Sequence, residues 1–217
     1  MTSDILGLID GVSVGCVRGV GWPETAVSMV GRKRLLNASR LVQDVVTRGV
    51  PGDVLEAGVW RGGCSIVMRA SLGRVTDRYM WVCDSFRGLP PSSDPHDSVD
   101  FSGIPELAVG LDVVMGNFDR FGWLDDRVRF VQGWFRDTLP SLDVELAVLR
   151  LDGDLFTSTT DILEGLYDKV TPGGYVIVDD YYALDCCRAA TDEFRSRRRV
   201  RGSVVKVDWA GAFWQKQ

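Results

Sequence analysis

The sequence has few cysteines, one histidine and no long apolar run, and each scarcity excludes a class of protein. Its five cysteines are odd in number and contain no CxxC pair, which fits neither a disulfide framework nor a zinc site. We expect free thiols, as in a reducing cytoplasm. No stretch is apolar over the length that a membrane span needs. The first residues include Asp4 and Asp10 but no basic cluster, unlike a signal peptide. The sequence therefore predicts a soluble cytoplasmic protein.

The balance of charge argues against two kinds of partner. The 217 residues carry 30 acidic and 25 basic side chains, a net charge of −5, which gives no general affinity for nucleic acid or anionic membrane. The basic tract at 195–201 runs against this balance. We interpret it as the solvated end of a helix, where cations suit the dipole. The length suits one large domain, 1–217, with enough residues for a sizeable core.

Five apolar runs, separated by helical stretches, indicate five buried strands. These runs lie at 53–59, 79–84, 128–132, 145–152 and 175–180. Helices are predicted within an N-terminal helical segment at 1–50, which includes 30–46, and at 157–170 and 185–198, and a hairpin at 203–216. The TPGG turn at 171–174 is expected to stop the helix before it. The order predicts an α/β fold with a mostly parallel sheet, helices on both faces and an antiparallel C-terminal hairpin.

One long segment interrupts this alternation. Residues 89–110 are rich in Pro, Ser, Asp and Gly, and such a long connection inside a domain is usually a lid or disordered. We expect a lid loop at 89–118 that orders over substrate. His96, the single histidine, lies in it. It is either a solvated loop residue or a contact to substrate.

Acids and glycines follow the first two predicted strands. Glu56 is followed by Gly58 and Gly62, and the second strand ends at Asp84. Ligands bind beyond the carboxyl ends of parallel strands, glycines let the backbone approach them, and helix N-termini offer free N–H groups. Asp84 could accept both hydroxyls of a ribose. S-adenosylmethionine suits these acids because it is cationic and has no phosphate; the alternative is a tight turn with solvated caps.

Paired carboxylates end the fourth and fifth predicted strands. Asp152 and Asp154 follow one strand, and Asp179 and Asp180 follow the other. Neighbouring strands lie about 4.8 Å apart, so these side chains could share one cation. Hard oxygen ligands without nearby His or Cys favour Mg²⁺. If the strand stays extended to Asp154, alternation places it on the same face as Asp152. The alternative is that these acids only cap helices and form turns.

Several motifs together resemble the macrocin O-methyltransferase family, in the same order along the chain from about residue 28 to the final hairpin. They are DVLEAGVWRGGCSIVM, CDSFRGLP, FVQGWFRDTLP, LRLDGDLFTST and PGGYVIVDDYY. Members of this family use S-adenosylmethionine and a metal ion to methylate sugar hydroxyls on antibiotics. The resemblance implies a class I methyltransferase (Rossmann-like) fold, bound Mg²⁺, a glycoside substrate and a homodimer.

The resemblance also implies roles for particular residues. Those expected to line the cofactor site are Glu56, Gly58, Arg61, Gly62, Ser65, Asp84, Ser85 and Trp134. Asp152, Asp179 and Asp180 are expected to hold the metal, with Asp154 as the base that takes the proton from the acceptor. The chain departs from the family on the acceptor side, reading LDGDLF where members commonly read LDTDWY. Two alternatives stay open: an aromatic or other vicinal-diol acceptor, and a protein that binds S-adenosylmethionine without turnover.

Overall fold

A seven-stranded sheet forms the centre of the protein in a computed structural model that describes residues 3–16 and 24–217. The strand order is β3-β2-β1-β4-β5-β7-β6, parallel from β3 to β5 and antiparallel for β7 and β6. The strands are β1 Asp53–Ala57, β2 Met80–Asp84, β3 Val128–Gln132, β4 Leu146–Leu151, β5 Val170–Val178, β6 Val205–Lys206 and β7 Ala212–Gln215. This sheet confirms the predicted α/β architecture and the antiparallel C-terminal hairpin.

Seven α-helices within the described residues cover the two faces of the sheet. They are α1 Ser3–Val12, α2 Arg32–Arg48, α3 Gly63–Ser71, α4 Leu111–Arg120, α5 Phe135–Thr138, α6 Phe156–Leu166 and α7 Asp185–Arg197, with 3₁₀ turns at Pro105–Leu107 and Tyr167–Lys169. Side chains of α1 to α4 join one apolar core, and those of α5 to α7 join the other. Parts of the predicted N-terminal helical segment, residues 1–2 and 17–23, lie outside the described residues.

Helix α2 shows why the sequence pattern predicts this packing. Leu35, Ala38, Val42 and Val45 are spaced at three to four residues and are all buried against the sheet. The helix ends where Gly49 adopts a left-handed conformation, with φ of 66°. Among the described residues, no helix combines the length and apolarity that a membrane crossing requires.

Two boundaries differ from the sequence prediction. Helix α6 ends at Leu166 and not at 170, and the TPGG segment belongs to strand β5. The register between β4 and β5 shifts between Leu146 and Val148, which is a local bulge. A Cβ on Gly174 would lie 2.6 Å from the Ala147 carbonyl oxygen. Gly174 therefore allows β5 to approach β4 closely at the bulge, whereas the TPGG sequence pattern by itself indicates only a turn.

The predicted lid divides into an irregular part and a helix. Residues 89–110 contain only the 3₁₀ turn at Pro105–Leu107, whereas helix α4 begins at Leu111. Val114 and Phe118 of α4 are fully buried in the core. The irregular part of the predicted lid at 89–118 is therefore 89–110, and its closure over substrate stays a prediction.

The topology brings all the charged strand ends to one edge. Strands β1 and β4 are neighbours in the sheet. From β1 the chain adds β2 and β3 on one side, and it then crosses back to add β4 and β5 on the other side. Ligands bind at such a switch point in strand order. Gly58, just after β1, has φ of 87°. A Cβ there would lie 1.9 Å from the carbonyl oxygen of Asp152. Only glycine permits this close approach, which joins the two halves of the site.

Candidate active site

A cavity of about 560 Å³ opens at this edge of the sheet. Every parallel strand contributes to it from its carboxyl end: Gly58 after β1, Asp84 on β2, Trp134 after β3, Asp152 after β4 and Asp180 after β5. Residues of the 89–110 segment form another wall. The volume of the cavity falls in the ordinary range for small-molecule sites. The cavity therefore combines the predicted nucleoside site and the predicted acidic site in one space.

The Asp84 carboxylate is held rigidly on the β2 side of the cavity. Its Oδ2 accepts a hydrogen bond from the Val59 backbone N–H at 2.8 Å, and its Oδ1 accepts one from the Phe86 N–H at 2.8 Å. Burial raises the pKa of Asp84, and these two backbone donors act in the opposite direction. Oδ2 keeps a second lone pair, and Oδ1 makes only a long additional contact, accepting from the Ser85 hydroxyl at 3.4 Å, so the carboxylate is open to a ligand hydroxyl at Oδ2.

The predicted cofactor residues fall into two groups. The cavity walls include Glu56, Gly58, Asp84, Ser85 and Trp134. The other three lie behind the walls. Ser65 is fully buried and donates a hydrogen bond to Glu56. Arg61 donates to the backbone carbonyls of Glu24 and Ala26, and Gly62 precedes helix α3 in a left-handed conformation. These three shape the glycine turn and do not line the cavity.

Three carboxylates converge on the other side of the cavity. Oxygens of Asp152, Asp154 and Asp180 all lie within 4.8 Å of one another. Burial and then the charge of Asp152 raise the pKa of Asp154 to about 7. Burial and then the charges of Asp152 and Asp179 raise the pKa of Asp180 well above its ordinary value. Both raised pKa values indicate that Arg34 and Arg150 do not fully balance the negative charge of the group, and hard oxygen donors at this spacing fit a divalent cation such as Mg²⁺.

Asp154 reaches this group by a route that sequence alternation does not describe. Strand β4 ends at Leu151, and Asp154 has a left-handed φ of 57°. The condition that the strand stays extended to Asp154 is therefore not met, and strand alternation does not place this side chain. A tight turn, closed by a 2.6 Å hydrogen bond from the Leu155 N–H to the Gly153 carbonyl, brings its side chain beside Asp152. Strain of this kind in a non-glycine residue is common at functional sites.

Asp179, predicted as a third metal ligand, lies outside this group because two arginines bind it. Arg34 of α2 pairs with its Oδ2, and Arg150 of β4 lies 2.5 Å from its Oδ1. Burial opposes ionisation of Asp179, but the guanidinium groups of Arg150 and Arg34 outweigh burial and lower its pKa. Asp179 is therefore a fixed anion that anchors both arginines.

Arg150 is the centre of a buried ionic network that the sequence interpretation did not include. It is 1% exposed, pairs with Glu56, and lies 3.0 Å from the Asp152 carboxylate in addition to Asp179. A signal was present: an arginine in the otherwise apolar strand LAVLRL requires acidic partners. The network links the β1, β4 and β5 ends, so it sets the positions of the acids around the cavity.

The Asp84 position allows a test of the cofactor side. Asp84→Ala removes the predicted acceptor for the ribose hydroxyls, and we expect S-adenosylmethionine to bind more weakly by about 1.5–3 kcal/mol. Calorimetric titration measures this. Asp53→Ala is the matched control. Asp53 also accepts a hydrogen bond from a backbone N–H, that of Tyr79 at 2.9 Å, but it lies at the start of β1, whereas the cavity lies at the carboxyl ends of the strands. Equal affinity for the wild type and Asp84→Ala would place the adenosine elsewhere.

The sheet order and the site at its switch point define the class I, S-adenosylmethionine-dependent methyltransferase fold. Among solved structures, the calicheamicin methyltransferase CalS11 shares this fold, with a TM-score of 0.67 at 21% identity over 84% of this chain and 78% of that one. The sequence profile of the macrocin-O-methyltransferase (TylF) family matches residues 15–216. The chain belongs to this family and is an O-methyltransferase, which confirms the family resemblance and the predicted fold.

Individual relatives agree with this assignment. The chain is 48% identical to the 8-demethyl-8-(2,3-dimethoxy-alpha-L-rhamnosyl)-tetracenomycin-C 4'-O-methyltransferase of Streptomyces olivaceus, over 91% of this chain and 78% of the relative. It is 42% identical to the mycinamicin III 3''-O-methyltransferase of Micromonospora griseorubida, over 91% and 82%. The structure of the O-methyltransferase NovP has a TM-score of 0.93 at 39% identity and covers 98% of both chains.

Proposed function

We propose that the protein transfers a methyl group from S-adenosylmethionine to a sugar hydroxyl of a glycosylated natural product, with Mg²⁺ as a cofactor. The observation that carries this proposal is the convergence of the Asp152, Asp154 and Asp180 carboxylates in the same cavity as Asp84 and Trp134. Support for the acceptor comes from the relatives, whose names describe a rhamnosyl-tetracenomycin and mycinamicin III. An aromatic or other vicinal-diol acceptor is the alternative.

The cofactor would occupy the β1–β3 side of the cavity. Asp84 accepts the ribose hydroxyls, and Trp134, directly after the third strand, flanks the adenine with its ring. The glycine turn at Gly58 lets the backbone pass close to the sulfonium end. This arrangement directs the methyl group toward the acids on the β4–β5 side.

Asp152 and Asp180 would hold the magnesium ion, with Asp154 beside them. When bound, Mg²⁺ would supply positive charge that lowers the pKa of an acceptor hydroxyl. Asp179 does not need to bind it: this carboxylate holds Arg34 and Arg150, which in turn hold the neighbouring acids.

Asp154 would take the proton from the acceptor. An aliphatic hydroxyl has a pKa near that of water, about 15.7, whereas burial raises the pKa of Asp154 only to about 7. The gap of about 9 pKa units corresponds to about 12 kcal/mol at 1.36 kcal/mol per unit. Asp154 alone, without the metal, therefore cannot generate a free alkoxide, so we expect it to receive the proton while the oxygen attacks the methyl group.

Residues 89–110 would close over the bound substrates. This segment contacts the site at two points: the Phe156 N–H donates to Asp97 at 2.8 Å, and the Trp60 indole N–H donates to the Glu106 carbonyl at 2.8 Å. His96 stacks on Phe156, with the ring centroids 4.5 Å apart, and is not part of the cavity wall. The homodimer implied by the family resemblance and the cytoplasmic location predicted from the cysteine content stay predictions, which sedimentation and cell fractionation can test.

The acceptor is tested by offering methyl α-L-rhamnopyranoside and catechol in parallel with methyl-labelled S-adenosylmethionine and Mg²⁺. The proposal predicts an O-methylated sugar, identified by mass spectrometry and NMR, and little methylated catechol. Methylation of catechol alone would contradict the sugar acceptor and favour the aromatic alternative.

A further inference from the structure

Trp209 lies on the wall of the active-site cavity, in the turn between β6 and β7. It is 51% exposed, although it is the largest kind of apolar side chain. A single exposed apolar residue needs no functional explanation by itself. The surroundings of Trp209 are what indicate a role, because the turn that carries it is fixed to the acidic side of the cavity.

The turn around Trp209 is rigid. The Asp208 Oδ1 accepts hydrogen bonds from the Ala210 and Gly211 N–H groups, each at 2.9 Å, and the Val207 N–H donates to the Gly211 carbonyl at 2.9 Å. The Asp208 Oδ2 lies 3.3 Å from the Nε of Arg34. A Cβ on Gly211 would lie 2.9 Å from the Cδ of Arg34, so the absence of a side chain at this position leaves space for the arginine.

Arg34 connects the Trp209 ring to the acids. Its guanidinium carbon is 5.7 Å from the centre of the indole ring. The same guanidinium pairs with Asp179 and lies 3.9 Å from the Oδ1 of Asp180. The Arg34 guanidinium therefore lies between one face of the indole ring and the carboxylates of Asp179 and Asp180.

We propose that Trp209 is the platform on which the sugar ring of the acceptor stacks, and that it selects a glycoside for this site. A pyranose has an apolar C–H face, which fits an indole, and a rim of hydroxyls, which fits the charged groups beside it. Stacked on the indole face that Arg34 does not cover, the sugar would have its hydroxyl rim beside the charged groups of the cavity. This inference rests on the proposed function, since it assumes a sugar acceptor.

The test compares Trp209→Ala, Trp209→Phe and the wild type with methyl α-L-rhamnopyranoside. We expect Trp209→Ala to raise the KM for this glycoside about 10-fold, which is about 1.4 kcal/mol, with a much smaller change in kcat because the platform binds ground state and transition state alike. Trp209→Phe should recover most of the loss. Val205→Ala, which removes an exposed apolar side chain of the same hairpin outside the cavity wall, should behave as the wild type.

A second measurement does not depend on turnover. In the presence of S-adenosylhomocysteine, saturation-transfer NMR should show transfer to the ring C–H protons of the glycoside in the wild type and in Trp209→Phe, and a much weaker signal in Trp209→Ala at the same glycoside concentration. Calorimetry should give the same affinity for S-adenosylmethionine in all variants. Equal sugar signals in Trp209→Ala and the wild type would overturn the platform alone. No sugar signal in the wild type, together with methylation of catechol, would overturn both the platform and the sugar acceptor.

Discussion

Asp154→Asn should lose turnover by about 10²–10⁴-fold, the usual contribution of a general base. Asparagine has nearly the shape of aspartate and can occupy the same left-handed turn, but it cannot accept a proton at neutral pH. S-adenosylmethionine should bind this variant almost as well as the wild type, since Asp84 and Trp134 are unchanged. Single-turnover methyl transfer, combined with calorimetry for the cofactor, measures both quantities.

Two variants serve as comparisons for Asp154→Asn. Asp161→Asn changes an aspartate on the same cavity wall that lies outside the three-carboxylate group, and it should cost less than about 10-fold. Asp152→Asn should lose metal affinity and turnover together. Near-normal turnover of Asp154→Asn would contradict its role as the base. Loss of turnover only through weaker metal binding would make Asp154 a ligand instead.

Arg150→Met should reduce the free energy of unfolding by about 3–5 kcal/mol, the usual cost of removing one partner from a buried ionic network. Glu56, Asp152 and Asp179 would all lose the same counter-ion. Burial already raises the pKa of Glu56 to about 7 against the opposing charge of Arg150. Without Arg150 the pKa of Glu56 in the folded state should rise further, so Glu56 stays protonated in the folded protein at a pH where the unfolded chain releases the proton. The loss of unfolding free energy should therefore be larger at pH 8 than at pH 6. Urea denaturation at both pH values measures it.

Arg69→Met is the matched control for Arg150→Met. Arg69 is equally buried, at 1% exposed, but its partner Asp125 is partly exposed and can be solvated when the arginine is lost. This variant should be less destabilised and should keep its activity. The double variant Glu56→Gln/Arg150→Met should recover part of the loss, because it removes one of the unpaired acids. A loss below about 1 kcal/mol in Arg150→Met would show that the network does not hold the acids in place.

The parts of the fold that follow from local patterns were predictable from the sequence. The β1–β4 runs are short and apolar and are bounded by turn residues, so each predicted strand is present, with shifts of a residue or two at its ends. The acids after β2, β4 and β5 follow directly from those strands, because parallel strands end at one edge. The bulge that draws TPGG into β5 was not predictable, since it depends on the register of two strands that are distant in sequence.

Pairings between distant residues also could not be read from the sequence. Arg34 and Asp179 are 145 residues apart, and nothing local to either one identifies the other as its partner. Asp179 therefore resembles its neighbour Asp180 in sequence, although in the structure it binds two arginines while Asp180 joins the carboxylate group. The same limit applies to Trp209, whose position on the cavity wall depends on the contact between its turn and Arg34.

The most direct test of the account is methyl transfer to methyl α-L-rhamnopyranoside before and after removal of divalent cations. The acids at the strand ends are proposed to act with Mg²⁺, so excess EDTA should abolish transfer to the sugar, and Mg²⁺ added beyond the chelator should restore it. S-adenosylmethionine should remain bound throughout, because the site proposed for it, at Asp84 and Trp134, does not include the metal ligands. Full transfer in excess EDTA would contradict the central claim.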